Sequence, residues 1–130
     1  MLNKILTRTL RVLVVLPAIL FLITGLSWIT NPANAASSLG MILLDGMGRS
    51  SQIGDVGALF FTMGIMILIA VVTARRSWFQ APAMMLACVA IFRIVAWLFH
   101  GATFAASMIM VEVVVAVLLL VASTKLSEKE

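Results

Sequence analysis

Four apolar runs, each about twenty residues long, constrain the fold of this chain more than any other feature. They cover about residues 10–29, 52–73, 81–99 and 103–122. A helix rises about 1.5 Å per residue, so about 20 apolar residues cross the roughly 30 Å hydrocarbon core of a bilayer. Only 11% of the residues are charged, against about a quarter in a soluble domain. We therefore predict an all-α membrane protein, a four-transmembrane-helix bundle in which residues 1–130 form a single integral membrane domain.

The basic residues predict the orientation of this bundle. Most of them lie before the first run, between the second and third runs, or after the fourth, at Lys4, Arg8, Arg11, Arg75, Arg76, Lys125 and Lys129. The connector between the first two runs contains only Arg49, and the last connector contains no basic residue. Because cytoplasmic connectors of membrane proteins are enriched in Lys and Arg, we expect both the N- and the C-terminus to be cytoplasmic.

The net charge of +4 does not indicate a nucleic-acid-binding protein. A phosphate-binding surface would collect its basic residues on one face, whereas here they flank the apolar runs in small groups. We therefore expect the partner to be the lipid bilayer, and we expect no nucleic acid.

The connector from Ser37 to Ser51 is too polar and too rich in glycine to span a membrane. We predict a short amphipathic segment, lying at the membrane interface or across the end of the bundle. Within it, Asp45 and Arg49 are four residues apart and are placed to pair on one helical turn. The preceding Ala33-Asn34-Ala35 is similar to a signal-cleavage site, but the first apolar run is longer than the 7–15 residues of a signal core. We expect the first helix to be retained.

Four ionisable residues fall inside or at the edge of the predicted spans: Asp55, Arg93, His100 and Glu112. By position along their helices, all four lie in the outer half of the bilayer. Ionisable residues within a membrane face the bundle interior, pair with one another and are by default candidates for a functional site. Because Arg93, Trp97 and His100 are spaced to share one helical face, we predict a polar cluster with Arg93 at its centre, held by Asp55 and Glu112.

The sequence leaves two roles open for this cluster. It is either a structural clasp that fixes helix packing or the floor of a pocket that opens to the outside. A metal site is not predicted, because His100 alone does not supply the three or four ligands that zinc needs. The chain also contains no motif that would indicate a cofactor.

A set of short motifs resembles a bacterial family of small four-span membrane proteins of unknown function, distantly similar to DoxX-like proteins. The motifs are Asn31-Pro32, Leu39-Gly40, Gly54-Asp55-Val56-Gly57-Ala58, Gly64, Arg93, His100-Gly101 and Glu112. The resemblance extends over most of residues 10–122 and implies the same four-span fold and topology in the bacterial inner membrane. It implies no activity.

Three functions remain open from the sequence. The first is a non-enzymatic accessory subunit or a binder of a small hydrophobic ligand or lipid, marked by a cavity between the second, third and fourth spans that contains Arg93. The second is a small proton-coupled transporter, as a dimer or another homo-oligomer. The third is an intramembrane enzyme that uses Asp55, Glu112 and His100 as acid–base groups, which we place last because no nucleophile or metal set accompanies them.

Overall fold

The computed structural model of the protein describes residues 1–127 and has an all-α fold. Four of its helices are long and apolar enough to cross a membrane, as predicted. The helices are α1 (Leu2–Thr30), α2 (Pro32–Ser38), α3 (Gly46–Thr73), α4 (Arg76–Phe99) and α5 (Ala106–Lys125). The four long helices, α1, α3, α4 and α5, fit a multi-pass membrane protein.

The helices end at residues whose backbone chemistry explains the break. Pro32 opens α2 at a position where its missing N–H costs no hydrogen bond, and the Asn31 side chain accepts a hydrogen bond from the N–H of Asn34 at 3.3 Å. α3 ends at Thr73 because the next residue, Ala74, is in the left-handed region (φ 54°), and α4 begins two residues after Ala74. α4 is followed by Gly101 with φ +66°, a conformation that glycine adopts without steric cost.

The observed boundaries differ from the predicted runs because the predictions followed apolar character. α1 begins at Leu2 rather than near residue 10, and α4 begins at Arg76 rather than near residue 81. Charged residues end an apolar run, but they do not stop a helix that extends into the headgroups. α3 begins at Gly46, about six residues before the predicted start, so part of the predicted connector is helical. α5 begins at Ala106 rather than near residue 103.

The bundle consists of two helical hairpins. α1 packs most extensively on α3, and α4 packs most extensively on α5, while contacts between the two hairpins are fewer. Glycines allow the close approach of α1 and α3: a Cβ added at Gly25 would lie 2.6 Å from the backbone N of Phe61, and one added at Gly64 would lie 2.7 Å from the carbonyl O of Ala18. Small residues of this kind are common where membrane helices pack closely.

The hairpins share one core, at the end of the bundle that carries both termini. All four long helices contribute to it, with Val14, Ala18, Met63, Ile67, Ala70, Phe79, Ala83, Leu86, Val115, Ala116, Leu119 and Ala122 among its buried residues. A second buried cluster lies at the opposite end, around Trp28, Ala35 and Ala36. It is built from α1, α2, α3 and the α2–α3 loop, with no residue of α4 or α5. The two hairpins therefore separate at the α2 end.

A π-helical segment, Gln52–Gly57, interrupts α3 near this α2 end. A π turn places one extra residue between successive hydrogen-bonded groups. Because each residue of an α-helix turns by about 100°, the extra residue changes which side chains of α3 face the neighbouring helices. Gly57 faces Trp28, whereas an added Cβ at Gly54 would meet no other atom within 4 Å.

Candidate functional site

An ion pair between α4 and α5 is the centre of the candidate site. The Nε of Arg93 donates a hydrogen bond to the Oε1 of Glu112 at 2.7 Å. The Arg93 side chain is 31% exposed and the Glu112 side chain 11% exposed. Removing two charged groups from water is costly unless they are paired with good geometry, and the short Nε–Oε1 distance supplies that pairing.

The second carboxylate oxygen of Glu112, Oε2, is buried and has no hydrogen-bond partner within residues 1–127. Buried polar atoms in folded proteins almost always have a partner, and an unsatisfied one needs an explanation. Within the described residues, Arg93 is hydrogen-bonded to Glu112 through Nε alone. The carboxylate is therefore only partly satisfied, and its second oxygen is enclosed by the protein.

Arg93 and Glu112 are among the residues in the wall of a cleft of about 480 Å³, where the two hairpins separate. We call it the cleft. All five helices and the α2–α3 loop contribute to its lining. The lining residues are Phe21, Ser38, Leu39, Met41, Val56, Leu59, Phe60, Met63, Leu86, Val89, Arg93, Ser107, Met108, Val111 and Glu112. Met63 and Leu86 also belong to the shared core, so the core closes the cleft on the side of the termini. Arg93, Glu112 and two serines are the polar residues in an otherwise apolar lining.

The other predicted members of the polar cluster lie outside the cleft. Asp55 is exposed on the π-helical segment of α3, and it makes no ion pair with Arg93 in the described chain. His100 is exposed at the end of α4. Trp97 is 45% exposed, and its ring centroid lies 4.8 Å from that of Phe104 across the turn that contains Gly101. The structure thus brings together one acid and Arg93, rather than two acids and Arg93.

Gln52 is a structural residue of the site that the sequence analysis missed. Its side chain is buried and bonds to two backbone groups of the α2–α3 loop: Oε1 accepts from the N–H of Leu44 at 2.8 Å, and Nε2 donates to the carbonyl O of Ile42 at 3.0 Å. The same loop supplies Met41 to the cleft. A glutamine at the start of an apolar run was a signal for such a contact, because a polar amide inside a bundle needs partners.

Trp28 anchors α2 and the α2–α3 loop, which contribute residues to the wall of the cleft. It is fully buried and packs with Ala35 and Ala36 of α2. Apolar side chains of the loop and of α3, including Leu39 and Ile53, pack against the same cluster. The short helix α2 lies almost wholly before the predicted amphipathic segment, Ser37 to Ser51, which consists of the end of α2, the α2–α3 loop and the start of α3. The predicted Asp45–Arg49 pair is also present, with 3.1 Å between Oδ1 and Nη2.

The site does not show the donor set of a metal centre. From Met1 to Ser127, no three side chains among His, Cys, Asp and Glu lie close enough together to hold a metal ion. The charged groups in the wall of the cleft are the paired side chains of Arg93 and Glu112, set in a mostly apolar lining.

Comparison with known proteins adds no relative to this picture. No family model, no curated protein and no solved structure matches the chain. The resemblance to small four-span, distantly DoxX-like proteins therefore stays a prediction.

Proposed function

We propose that this protein binds a small amphipathic molecule or lipid of the membrane in the cleft, alone or as the accessory subunit of a larger complex. The observation that carries the proposal is the position of the Arg93–Glu112 pair in the wall of an apolar cavity of about 480 Å³. Small-molecule sites in proteins typically measure about 300–1,000 Å³ and combine an apolar lining with a few polar groups that fix orientation. The cleft has both properties.

A clasp alone accounts for the ion pair but not for the cleft beside it. The cleft has a volume of about 480 Å³ and a mostly apolar lining, with Arg93 and Glu112 among its residues. That space beside the ion pair is the reason for preferring a pocket over a clasp.

The proposal includes the location and orientation of the protein. We place it in the bacterial inner membrane with both termini cytoplasmic, following the distribution of Lys and Arg. In this orientation the cleft lies in the outer half of the bilayer. The exposed apolar side chains around it, such as Phe92 and Val111, would contact lipid, so that a ligand would reach the cleft from the membrane.

The experiment that tests the proposal is photolabelling of the purified protein in lipid nanodiscs. The probes are octadecyl chains that carry a mid-chain diazirine and differ in head group. We expect labelled peptides to map to cleft residues such as Phe21, Met63 and Val111. Val89→Trp, which fills the cleft, is expected to lower this labelling at least fivefold, whereas the matched Val113→Trp on the exposed face of α5 should leave it unchanged. Labelling spread evenly over the exposed apolar faces, with every head group, would contradict the proposal.

A small proton-coupled transporter is the second candidate, favoured by the carboxyl group of Glu112 in the wall of the cleft. We place it second because a transporter needs access from both sides of the membrane. Here Ile67, Leu119 and Ala122 are fully buried between the cleft and the end that carries the termini. Proton-driven uptake by liposomes that Glu112→Gln abolishes would favour transport over binding.

A further inference from the structure

A separate groove lies at the end of the bundle that carries both termini, between the start of α1 and the end of α5. It has a volume of about 540 Å³ and shares no residue with the cleft. Its polar lining residues are Asn3, Thr7, Thr9 and Lys125. We call it the terminal groove. We propose that it binds an anionic phospholipid, with the phosphate group at Lys125 and an acyl chain along its apolar part. This inference goes beyond the function proposed for the cleft and does not depend on it.

The first argument is the order of polarity along the terminal groove. Asn3 and Lys125 lie nearest the chain ends, where the helices reach the head groups. Leu10, Leu13 and Val121 line the groove closer to the middle of the bundle, and Leu13 lies about 15 Å from Asn3 by helical rise. Apolar side chains bind a hydrocarbon chain through burial and dispersion. The groove therefore presents a polar end and an apolar end in the order that a phospholipid has in the bilayer.

The second argument is the charge of the lining. Lys125 is its charged residue, and the other residues that line the groove are neutral. The Lys125 side chain is exposed and forms no ion pair with residues 1–127. The acidic residues of this described range lie in the other half of the bundle, at Asp45, Asp55 and Glu112. An anionic head group at Lys125 would therefore meet a cation without a carboxylate beside it.

The third argument is the charge of this whole end of the bundle. Its other basic residues, in the described chain, are Lys4, Arg8, Arg11, Arg75 and Arg76. The last three residues of the sequence, Glu128-Lys129-Glu130, add a net charge of only −1. Basic residues near a membrane surface attract anionic lipids, and basic pockets between membrane helices on the cytoplasmic side bind anionic head groups. In the proposed orientation the terminal groove faces the cytoplasmic leaflet.

The uncharged polar residues of the terminal groove supply further hydrogen-bond donors. The hydroxyl of Thr7 donates to the carbonyl O of Asn3 at 2.8 Å. The exposed side chains of Asn3 and Thr9 make no hydrogen bond with the rest of residues 1–127. Their N–H and O–H groups are therefore available to phosphate or glycerol oxygens, and hydrogen bonds to an ionised acceptor are stronger than those between neutral groups.

The test compares two photolabile phospholipids in nanodiscs made of phosphatidylcholine. One probe is phosphatidylglycerol, which is anionic, and the other is phosphatidylcholine, which is zwitterionic. Both carry the same diazirine-bearing acyl chain and are used at equal mole fraction. We expect the anionic probe to label Leu10, Leu13 and Val121 about fivefold more than the zwitterionic probe, the size expected from one basic residue near a membrane surface.

Lys125→Gln tests the role assigned to the lysine. We expect this variant to lose most of the preference for the anionic probe, and Lys125→Arg to retain it. Arg76→Gln is the matched control. It removes one positive charge from the same end of the bundle, at an exposed residue that does not line the terminal groove, and it should also retain the preference.

Each other outcome would overturn the inference. Equal labelling of the terminal groove by the two probes in the unmodified protein would show that it does not select anionic lipid. Equal losses in Lys125→Gln and Arg76→Gln would replace a site at Lys125 with a general attraction to the basic end. Suppression of the labelling by soluble glycerol phosphate would indicate a free phosphate compound instead of a lipid.

The result is independent of the test of the cleft, because the labelled residues differ. Labelling at Phe21, Met63 and Val111 reports on the cleft, and labelling at Leu10 and Val121 reports on the terminal groove. Either proposal can therefore fail while the other holds. Because the two probes are compared in the unmodified protein, the head-group preference does not depend on the folding of any variant.

Discussion

Arg93 and Glu112 stand nineteen residues apart in the chain, and their side chains meet at 2.7 Å across the α4–α5 hairpin. Most of the Glu112 side chain is withdrawn from solvent, while about a third of the Arg93 side chain is accessible. The pair therefore joins the two helices of one hairpin at the height of the cleft. It does not connect the two hairpins, so its loss should affect the local geometry of α4 and α5 first.

Removing only one member of this pair should destabilise the protein more than removing both. Breaking a fully buried pair costs about 3–5 kcal/mol, because one charge is left buried without compensation. Since Arg93 is partly accessible, we expect Arg93→Met to lower the free energy of unfolding by about 2–3 kcal/mol. The double variant Arg93→Met/Glu112→Leu should lie closer to the unmodified protein.

Unfolding measured by steric trapping or by titration with a denaturing detergent checks this expectation. Arg49→Met is the matched control, because it breaks the ion pair with Asp45 at the exposed α3 terminus and should change stability little. A double variant that is less stable than Arg93→Met would show that the pair stabilises the bundle beyond neutralising a buried charge.

The close contact of α1 with α3 makes Gly25 intolerant of a larger side chain. A Cβ at this position would lie 2.6–2.8 Å from three atoms of Phe61, two of which belong to the backbone. Because a helix backbone cannot move aside as a flexible side chain does, Gly25→Ala should separate the helices and cost about 1–3 kcal/mol.

Gly54 provides the matched control for this substitution. It lies in the π-helical segment of α3, and an added Cβ meets no other atom within 4 Å. Gly54→Ala should therefore leave the free energy of unfolding within about 1 kcal/mol of the original value, or raise it, since alanine favours helix over glycine by about that amount. Equal effects of the two substitutions in the same unfolding assay would contradict the close packing at Gly25.

The amide of Gln52 should hold the α2–α3 loop against the bundle. Gln52→Leu keeps the approximate size of the side chain but removes the hydrogen bonds to Leu44 and Ile42. Each such bond contributes about 0.5–1.5 kcal/mol net, and about 1.4 kcal/mol corresponds to a tenfold change in an equilibrium constant. We therefore expect the amide hydrogen of Leu44 to exchange about tenfold faster in the variant.

Hydrogen–deuterium exchange of the loop peptides measures this effect. Gln80→Leu is the control, because Gln80 is an exposed residue of α4 far from the loop in the chain. Unchanged exchange at Leu44 in Gln52→Leu would show that the packing around Trp28, rather than the Gln52 amide, holds the loop.

The number and order of the spans followed from the sequence because apolar length is a property of each segment by itself. The Arg93–Glu112 pair was also within reach, because both residues lie deep in predicted spans and an intramembrane charge needs a partner. The position of Asp55 was not, because it depends on the π-helical segment Gln52–Gly57. An extra residue in one turn rotates the side chains around it, and no pattern of apolar residues reports such a turn.

The cleft itself was not predictable from single segments. It exists because α2 packs against Trp28 of α1 and against α3 at one end, while Phe92, Leu98 and Phe99 in the C-terminal half of α4 are left exposed. That difference is a property of how two hairpins pack together. α2 had a local signal, since Asn31-Pro32 is a capping residue followed by proline at the first helical position, but the sequence analysis placed no helix between residue 29 and Ser37.

The proposed orientation predicts opposite accessibility for the two ends of the bundle. Ile42, in the α2–α3 loop, is 84% exposed, and Asn3 is exposed near the start of α1. In a Cys88→Ser background, a membrane-impermeant maleimide added to intact bacterial spheroplasts should label Ile42→Cys. It should label Asn3→Cys only after the membrane is permeabilised. The unmodified protein is the control. Its single cysteine, Cys88, is exposed midway along α4. It should react in neither condition, because the membrane would surround it and the reagent needs a hydrated thiol. Labelling of Asn3→Cys in intact spheroplasts, with Ile42→Cys protected, would reverse the orientation and place the cleft in the cytoplasmic half of the bilayer.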